Sequence, residues 1–228
     1  TGYQGGLRTP NDLRDEGENH WVFECNGNST VDMWPNPDDY PASSLHPAPG
    51  MITESGEPAL AFSSADPVVV NKHFEWMRKY NLDGVYLQRF LSNSNAGTEP
   101  EWVLNNVREA AHLHGRVWAI EYDLSGGTDA TVYDKITTDW KWLVDEVGIT
   151  NDSRYLHEGG KPVVVLWGAA IRTDMTQASL DPLVDFFQDD PVYGDNYVVG
   201  CVKSSFPSAW DAHNAKYDSI FAWMGSQT

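Results

Sequence analysis

Hydrophobic positions along the chain alternate between two periods, short apolar runs bounded by turn residues and longer stretches with three- and four-residue spacing. The stretch Gly115-Arg-Val-Trp-Ala-Ile-Glu-Tyr-Asp-Leu-Ser-Gly-Gly127 shows the first most clearly: an apolar strand that breaks into carboxylates and a glycine loop. Side chains alternate along a strand, so Val117, Ala119, Glu121 and Asp123 share one face, and Trp118, Ile120 and Tyr122 the other. Further strands are predicted at 1–6, 58–64, 85–90, 161–168, 197–202 and 220–223. Helices are predicted from Asp66-Pro67 to Tyr80, with Val70, Phe74, Met77 and Tyr80 on one face, and over about 100–114, 129–147, 177–189 and 208–215. Residues 7–58 hold most of the prolines and read as an elaborated, irregular loop region near the mouth of the fold, anchored by Trp21, Phe23, Met33, Trp34 and Tyr40.

Strands that alternate with helices and are apolar on both faces imply a parallel sheet. The expected fold is therefore α/β, a single (β/α)8 TIM-barrel-like domain over residues 1–228. Only seven strands are predicted, so either an eighth lies within residues 7–58 or the barrel is incomplete at its C-terminal end. In such folds ligands bind where the strands end, which is where Glu121 and Asp123 fall.

Charge narrows the function. The 33 Asp and Glu against 15 Lys and Arg give a net charge of -18, which argues against nucleic acid and against anionic membranes as partners. Ten Trp and ten Tyr, most of them expected in the core, leave some flat faces for stacking on sugar rings. Cys25 and Cys201 are too few for a disulfide framework, although one bridge between them is compatible with secretion. The sequons Asn28-Ser-Thr30 and Asn151-Asp-Ser153 point weakly the same way, so an extracellular location is the expectation, a cytosolic one the alternative. No apolar run approaches the roughly 20 residues of a membrane span. The seven histidines show no metal-ligand spacing, and no phosphate-binding loop, dinucleotide fingerprint or Gly-x-Ser-x-Gly motif occurs. No cofactor or metal is expected, and the oligomeric state is left open.

Glycoside hydrolysis needs one carboxyl group as proton donor and another as base or nucleophile, about 5 to 9.5 Å apart. Two acids at i and i+2 on a strand suit that range, and like charges in proximity raise one pKa. The competing structural role has Asp123 capping the following loop and Glu121 paired with an arginine such as Arg89. Gln88 and Arg89 end the preceding strand, and only one of them can face the same side as the acids. Trp167 and Trp223 end later strands and are candidate stacking platforms.

Taken together, Gly2-Tyr-Gln-Gly5, Asp32-Met-Trp-Pro35, Ala61-Phe-Ser-Ser-Ala-Asp66, His73-Phe-Glu-Trp-Met77, Asp83-Gly-Val-Tyr-Leu-Gln-Arg-Phe90, Tyr122-Asp-Leu-Ser-Gly126 and Lys161-Pro-Val-Val-Val-Leu-Trp-Gly168 resemble microbial xylosidase/arabinosidase-like proteins. These are related to glycoside hydrolase families 71 and 99. The resemblance implies a TIM barrel and a glycan-directed activity. The endo-mannosidase branch carries a His-Ile-Glu-Pro-Tyr motif whose acid corresponds to Glu121, with Ala119 in place of the histidine and Tyr122 in place of the proline. That branch has its second acid three residues on, where this chain has Leu124. Closer relatives keep the tyrosine-aspartate part and often lack an acid at the position of Glu121, which favours Asp123; members of the group also extend further past the strand at 220–223. The resulting expectation is a glycoside hydrolase with Asp123 and Glu121 as catalytic acids on the fourth barrel strand. Tyr3, Gln4, Trp34, Gln88, Arg89, Tyr122, Trp167 and Trp223 would bind the carbohydrate. The alternatives are a lectin-like barrel without catalysis and, more remotely, a metal-dependent hydrolase such as a nuclease.

Overall fold

The computed structural model describes residues 1–7, 9, 35–91, 101–169, 175–203 and 208–223. In chain order the elements are β1 (Gly2–Tyr3), 3-10 turns at Pro37–Asp39 and Ala42–Ser44, β2 (Leu45–Ile52), β3 (Pro58–Phe62), α1 (Pro67–Lys79), β4 (Gly84–Phe90) and α2 (Glu101–His114). There follow β5 (Val117–Asp123), α3 (Val132–Trp142), β6 (His157–Glu158), β7 (Lys161–Trp167), α4 (Gln177–Asp189), β8 (Tyr197–Lys203), α5 (Asp211–Asn214) and β9 (Ser219–Trp223). They form two compact units, one of Thr1–Gly2, Val85–Glu101 and Val117–Thr228, the other of Tyr3–Gly84 and Trp102–Arg116.

The first unit is built on a sheet in the order β1-β4-β5-β7-β8-β9, with β6 paired to β7 at the side. The pairs β5–β7, β7–β8 and β8–β9 are parallel, each strand lying beside the next of its kind in the chain, as βα repeats require. Among the described residues this is a six-stranded partial TIM barrel. Its curvature follows from one contact: the rings of Tyr86 on β4 and Phe221 on β9 lie 6.4 Å apart although three strands separate them. In a flat sheet four strand spacings would hold those strands roughly 19 Å apart. The side carrying Tyr86 and Phe221 is therefore concave.

Apolar side chains fill the opposite face. Trp118, Ile120 and Tyr122 of β5 are fully buried, as are Ile136 and Trp140 of α3 and Leu183, Val184 and Phe187 of α4. Phe187 meets Trp140 edge to face at 5.3 Å and Tyr122 at 6.3 Å. The spacing of Val132, Ile136 and Trp140 gives α3 one apolar stripe. The helix widens into a π turn at Leu143–Val147, and Gly148 ends it at φ 70°.

In the second unit, α1 begins as its sequence specifies, with Asp66 accepting from the Val68 N–H at 2.8 Å and Pro67 in the first turn. Val69, Val70, Phe74 and Met77 are buried, whereas Tyr80, predicted on the same face, is 65% exposed past the helix end. The strand expected at 58–64 exists as β3, but it pairs antiparallel with β2 and is not part of the parallel sheet. Within residues 7–58, read as an irregular region with room for one more strand, β2 spans Leu45–Ile52 despite its two prolines; a two-stranded ribbon has only edges, and an edge tolerates proline. Consequently β5 is the third strand along the sheet, not the fourth. Tyr40, Ala48, Met51, Ala61, Phe62 and Val69 form a compact core here. Beside it His73 bonds the Tyr3 hydroxyl through Nδ1 and the Tyr40 hydroxyl through Nε2, each at 2.9 Å. Burial pushes the His73 imidazole down to about 4, so it is neutral at ordinary pH, with one tyrosine donating to it and the other accepting.

Candidate active site

On β4 burial alternates strictly, with Val85, Leu87 and Arg89 buried and Tyr86 and Gln88 half-buried. Gln88 is the residue that turns to the concave side, where its Nε2 donates to Asp123 Oδ2 at 2.6 Å. The Ser125 N–H donates to Asp123 Oδ1 at 2.8 Å. Asp123 therefore does cap the loop after its strand, and it also presents a fixed carboxyl to the concave face. Both Glu121 and Asp123 are 3% exposed.

Glu121 differs from Asp123 in having no hydrogen-bond partner among the described residues. Burial first, and then the neighbouring Asp123, push its carboxyl from 4.5 up to about 7. Gly2 lies alongside, and even a methyl group there would stand 3.7 Å from Glu121 Oε2. The space next to that oxygen is therefore open to a small group.

Register supplies the rest of the surface. Asp123 aligns with Trp167, Trp167 with Cys201, and Cys201 with Phe221, so these four side chains form one row across the sheet. Glu121, Val165, Val199 and Ser219 form the row before it. Trp167, half-buried, thus stands beside Asp123 in the first of these rows. Cys201 is a fully buried thiol; Cys25, and with it the bridge considered between the two, lies outside the described residues. Burial, with Glu121 and Asp123 adding to it, pushes the Cys201 thiol up to about 12. Tyr86 faces the same space, and its phenol is raised by burial and then by Glu121. Tyr86, Cys201 and Phe221 were not expected at the site from sequence; strand parity with Gln88 would have found Tyr86, but the other two needed the register.

Two expected sugar contacts lie on the wrong side of the sheet. Arg89 donates from Nε and Nη2 to the two oxygens of Asp139 on α3, at 3.0 and 2.6 Å, and the Tyr122 hydroxyl donates to Asp139 Oδ2 at 2.8 Å. Arg89 and Tyr122 follow or separate the concave residues by one position, and alternation sends them to the convex core. The pairing of Glu121 with Arg89 is excluded for the same reason. Tyr3 belongs to the second unit, with its hydroxyl on His73, and Gln4 is exposed in the turn that follows. Trp34 and the side chain of Trp223 lie outside the described residues, as does Asn28; Asn151 of the other sequon is exposed. Among the described residues no three His, Cys, Asp or Glu side chains group as a metal cage, and no helix is long and apolar enough to cross a membrane.

The curled parallel sheet with helices on its convex side resembles known structures. The fold is similar to that of solved GH99 endo-α-mannosidases. An endo-α-mannosidase of that family from Bacteroides thetaiotaomicron superposes with a TM-score of 0.62 at 15% identity, over 99% of this chain and 60% of that one. The same enzyme in complex with bis-Tris propane gives 0.60 at 16% identity, over 97% and 57%. The chain spans less than two thirds of the length of these enzymes. No family model and no curated protein matches the sequence.

Proposed function

We propose that this protein is a glycoside hydrolase of neutral oligo- or polysaccharides in which Glu121 is the general acid and Asp123 the second carboxyl group. The observation that carries the reading is the contrast between them: one acid desolvated and held protonated to about 7, the other fixed by Gln88 and the Ser125 N–H on the same concave face. An acid that keeps its proton near neutral pH can give it to the departing glycosidic oxygen as the C–O bond breaks. Asp123 then serves either as base for the incoming water or as nucleophile, according to the outcome at the anomeric carbon. Trp167, Tyr86 and Phe221 supply ring faces for the sugar's C–H surface. The GH99 likeness and the sequence resemblance to xylosidase/arabinosidase-like proteins support a glycan substrate, and the sequons and acidic surface suit an extracellular setting.

Incubation with a panel of neutral oligosaccharides, followed by chromatography of the products, tests the proposal. Hydrolysis is expected in the wild type, with a loss of about 100-fold or more in Glu121→Gln and in Asp123→Asn. Turnover unchanged in both variants would refute it. A lectin-like barrel is the second reading, favoured by one observation: Leu124, at the position of the endo-mannosidase branch's second acid, is fully buried and apolar. Oligosaccharide binding by calorimetry without any product would select it.

A further inference from the structure

The residues that alternation removes from the sugar site take on a different role. Arg89 follows Gln88, and Tyr122 sits between Glu121 and Asp123, so each shares its backbone with the groups on the concave face. Both converge on one side chain, the fully buried carboxylate of Asp139 on α3, through the contacts at 3.0, 2.6 and 2.8 Å. On the other face Gln88 and Asp123 join the same two strands at 2.6 Å. Strands β4 and β5 are thus clamped twice, back to back, at adjacent residues. In a pleated strand a twist that moves Tyr122 carries Glu121 and Asp123 with it.

We propose that Asp139 is a positioning residue: through Arg89 and Tyr122 it sets the placement of Glu121 and Asp123 on the concave face. This rests on the reading of those two acids as the catalytic pair. Stability alone is a poor reason for such a network, since well-packed apolar residues often replace a buried ion pair at no loss. What apolar packing lacks is direction: a bidentate guanidinium–carboxylate pair with a phenol on the same oxygen defines both distance and angle. The clamp lies directly behind the acids, at the place where an error of about 1 Å is most damaging to hydrolysis.

The groups that face Glu121 and act on its proton are Asp123, the Tyr86 phenol and the Cys201 thiol. None of them is altered by Tyr122→Phe, which also leaves every charge in place, so a change in the titration of Glu121 in that variant reports a change in placement; Asp139→Asn removes a buried charge as well and is read through its kcat and KM. The test is a carbon-detected NMR titration of the Glu121 carboxyl, assigned with Glu121→Gln, in the wild type and Tyr122→Phe, together with the kcat and KM of both variants on the oligosaccharide that is cleaved. The wild-type midpoint is expected at about 7. In Tyr122→Phe it should fall by about one pH unit, as water reaches a carboxyl no longer held in place. Turnover of both variants should drop about 10-fold or more with KM changed by less than about 2-fold. Should Asp139→Asn not fold, Tyr122→Phe removes a single hydroxyl and carries the test alone. A folded Tyr122→Phe variant whose midpoint stays within about 0.2 of the wild type overturns the proposal and leaves the network purely structural. A wild type that cleaves no glycan while Tyr122→Phe shifts the midpoint would refute the hydrolase reading and leave the positioning role standing.

Discussion

Replacing Glu121 by glutamine should make the protein more stable at alkaline pH and inactive at every pH. Glu121 is 3% exposed and bonds to nothing among the described residues, and its carboxyl is pushed from 4.5 up to about 7, by burial first and then by Asp123. Between those two values the folded state holds a proton that the unfolded state has released. The stability owed to this group is therefore fully present below about 4.5, declines as pH rises, and is gone above about 7. At 1.36 kcal/mol per pH unit, the interval from 4.5 to about 7 amounts to roughly 3 kcal/mol. Glutamine has the shape of the protonated acid and never ionises. Urea unfolding of wild type and Glu121→Gln across about pH 4 to 9 should give stabilities that coincide at the acid end and diverge to roughly 3 kcal/mol in favour of the variant at the alkaline end. The same substitution removes the proton donor, so a gain in stability accompanies a loss of function, as expected where an active site holds a group against its preference. A difference that stays flat with pH, within about 0.5 kcal/mol, would show that Glu121 is not desolvated, and its assignment as general acid would lose its basis.

Three further outcomes follow from the packing. His73, buried between two tyrosine hydroxyls and pushed down to about 4, should remain neutral in an NMR titration of its ring protons until well below pH 6; its stabilising contribution is present above 6.5 and lost as pH falls towards 4, and a midpoint near 6.5 would contradict the structure. Arg89→Leu leaves the Asp139 carboxylate buried without its guanidinium and should cost about 3 to 5 kcal/mol in urea unfolding, whereas breaking the exposed, solvent-screened Lys72–Glu75 pair should leave the unfolding midpoint unchanged. Gly200→Ala would bring its methyl group within 2.5 to 2.7 Å of the Tyr217 ring, which cannot swing aside because its hydroxyl is held by His213 Nε2 at 2.7 Å; a loss of about 1 to 3 kcal/mol is expected, visible as a lower Tm.

Much of this architecture is written in local pattern. The helix start at Asp66-Pro67, the stripe of α3, the run of β7 and the sharing of one face by Glu121 and Asp123 all depend on residues within a few positions of one another, and each has the form that its spacing predicts. Strand β2, and so its antiparallel pairing with β3, was not legible, since two prolines conceal a strand that only an edge can tolerate. Neither was the partner of Arg89, which lies 50 residues away in the middle of a helix where an aspartate looks like a surface residue.

Alternation along β4 establishes that Gln88 and Arg89 point in opposite directions, and the sequence determines that much unaided. Which of them meets the acids depends on how β4 and β5 are set against each other and on which way the sheet curls. The same holds for the row of Asp123, Trp167, Cys201 and Phe221, drawn from four strands by their register, and for Tyr86 and Phe221, which meet only because the sheet is bent. A period of two is a property of one strand. Register and curvature arise from the packing of all of them, and it is packing that separates a desolvated acid from a capped one two residues away.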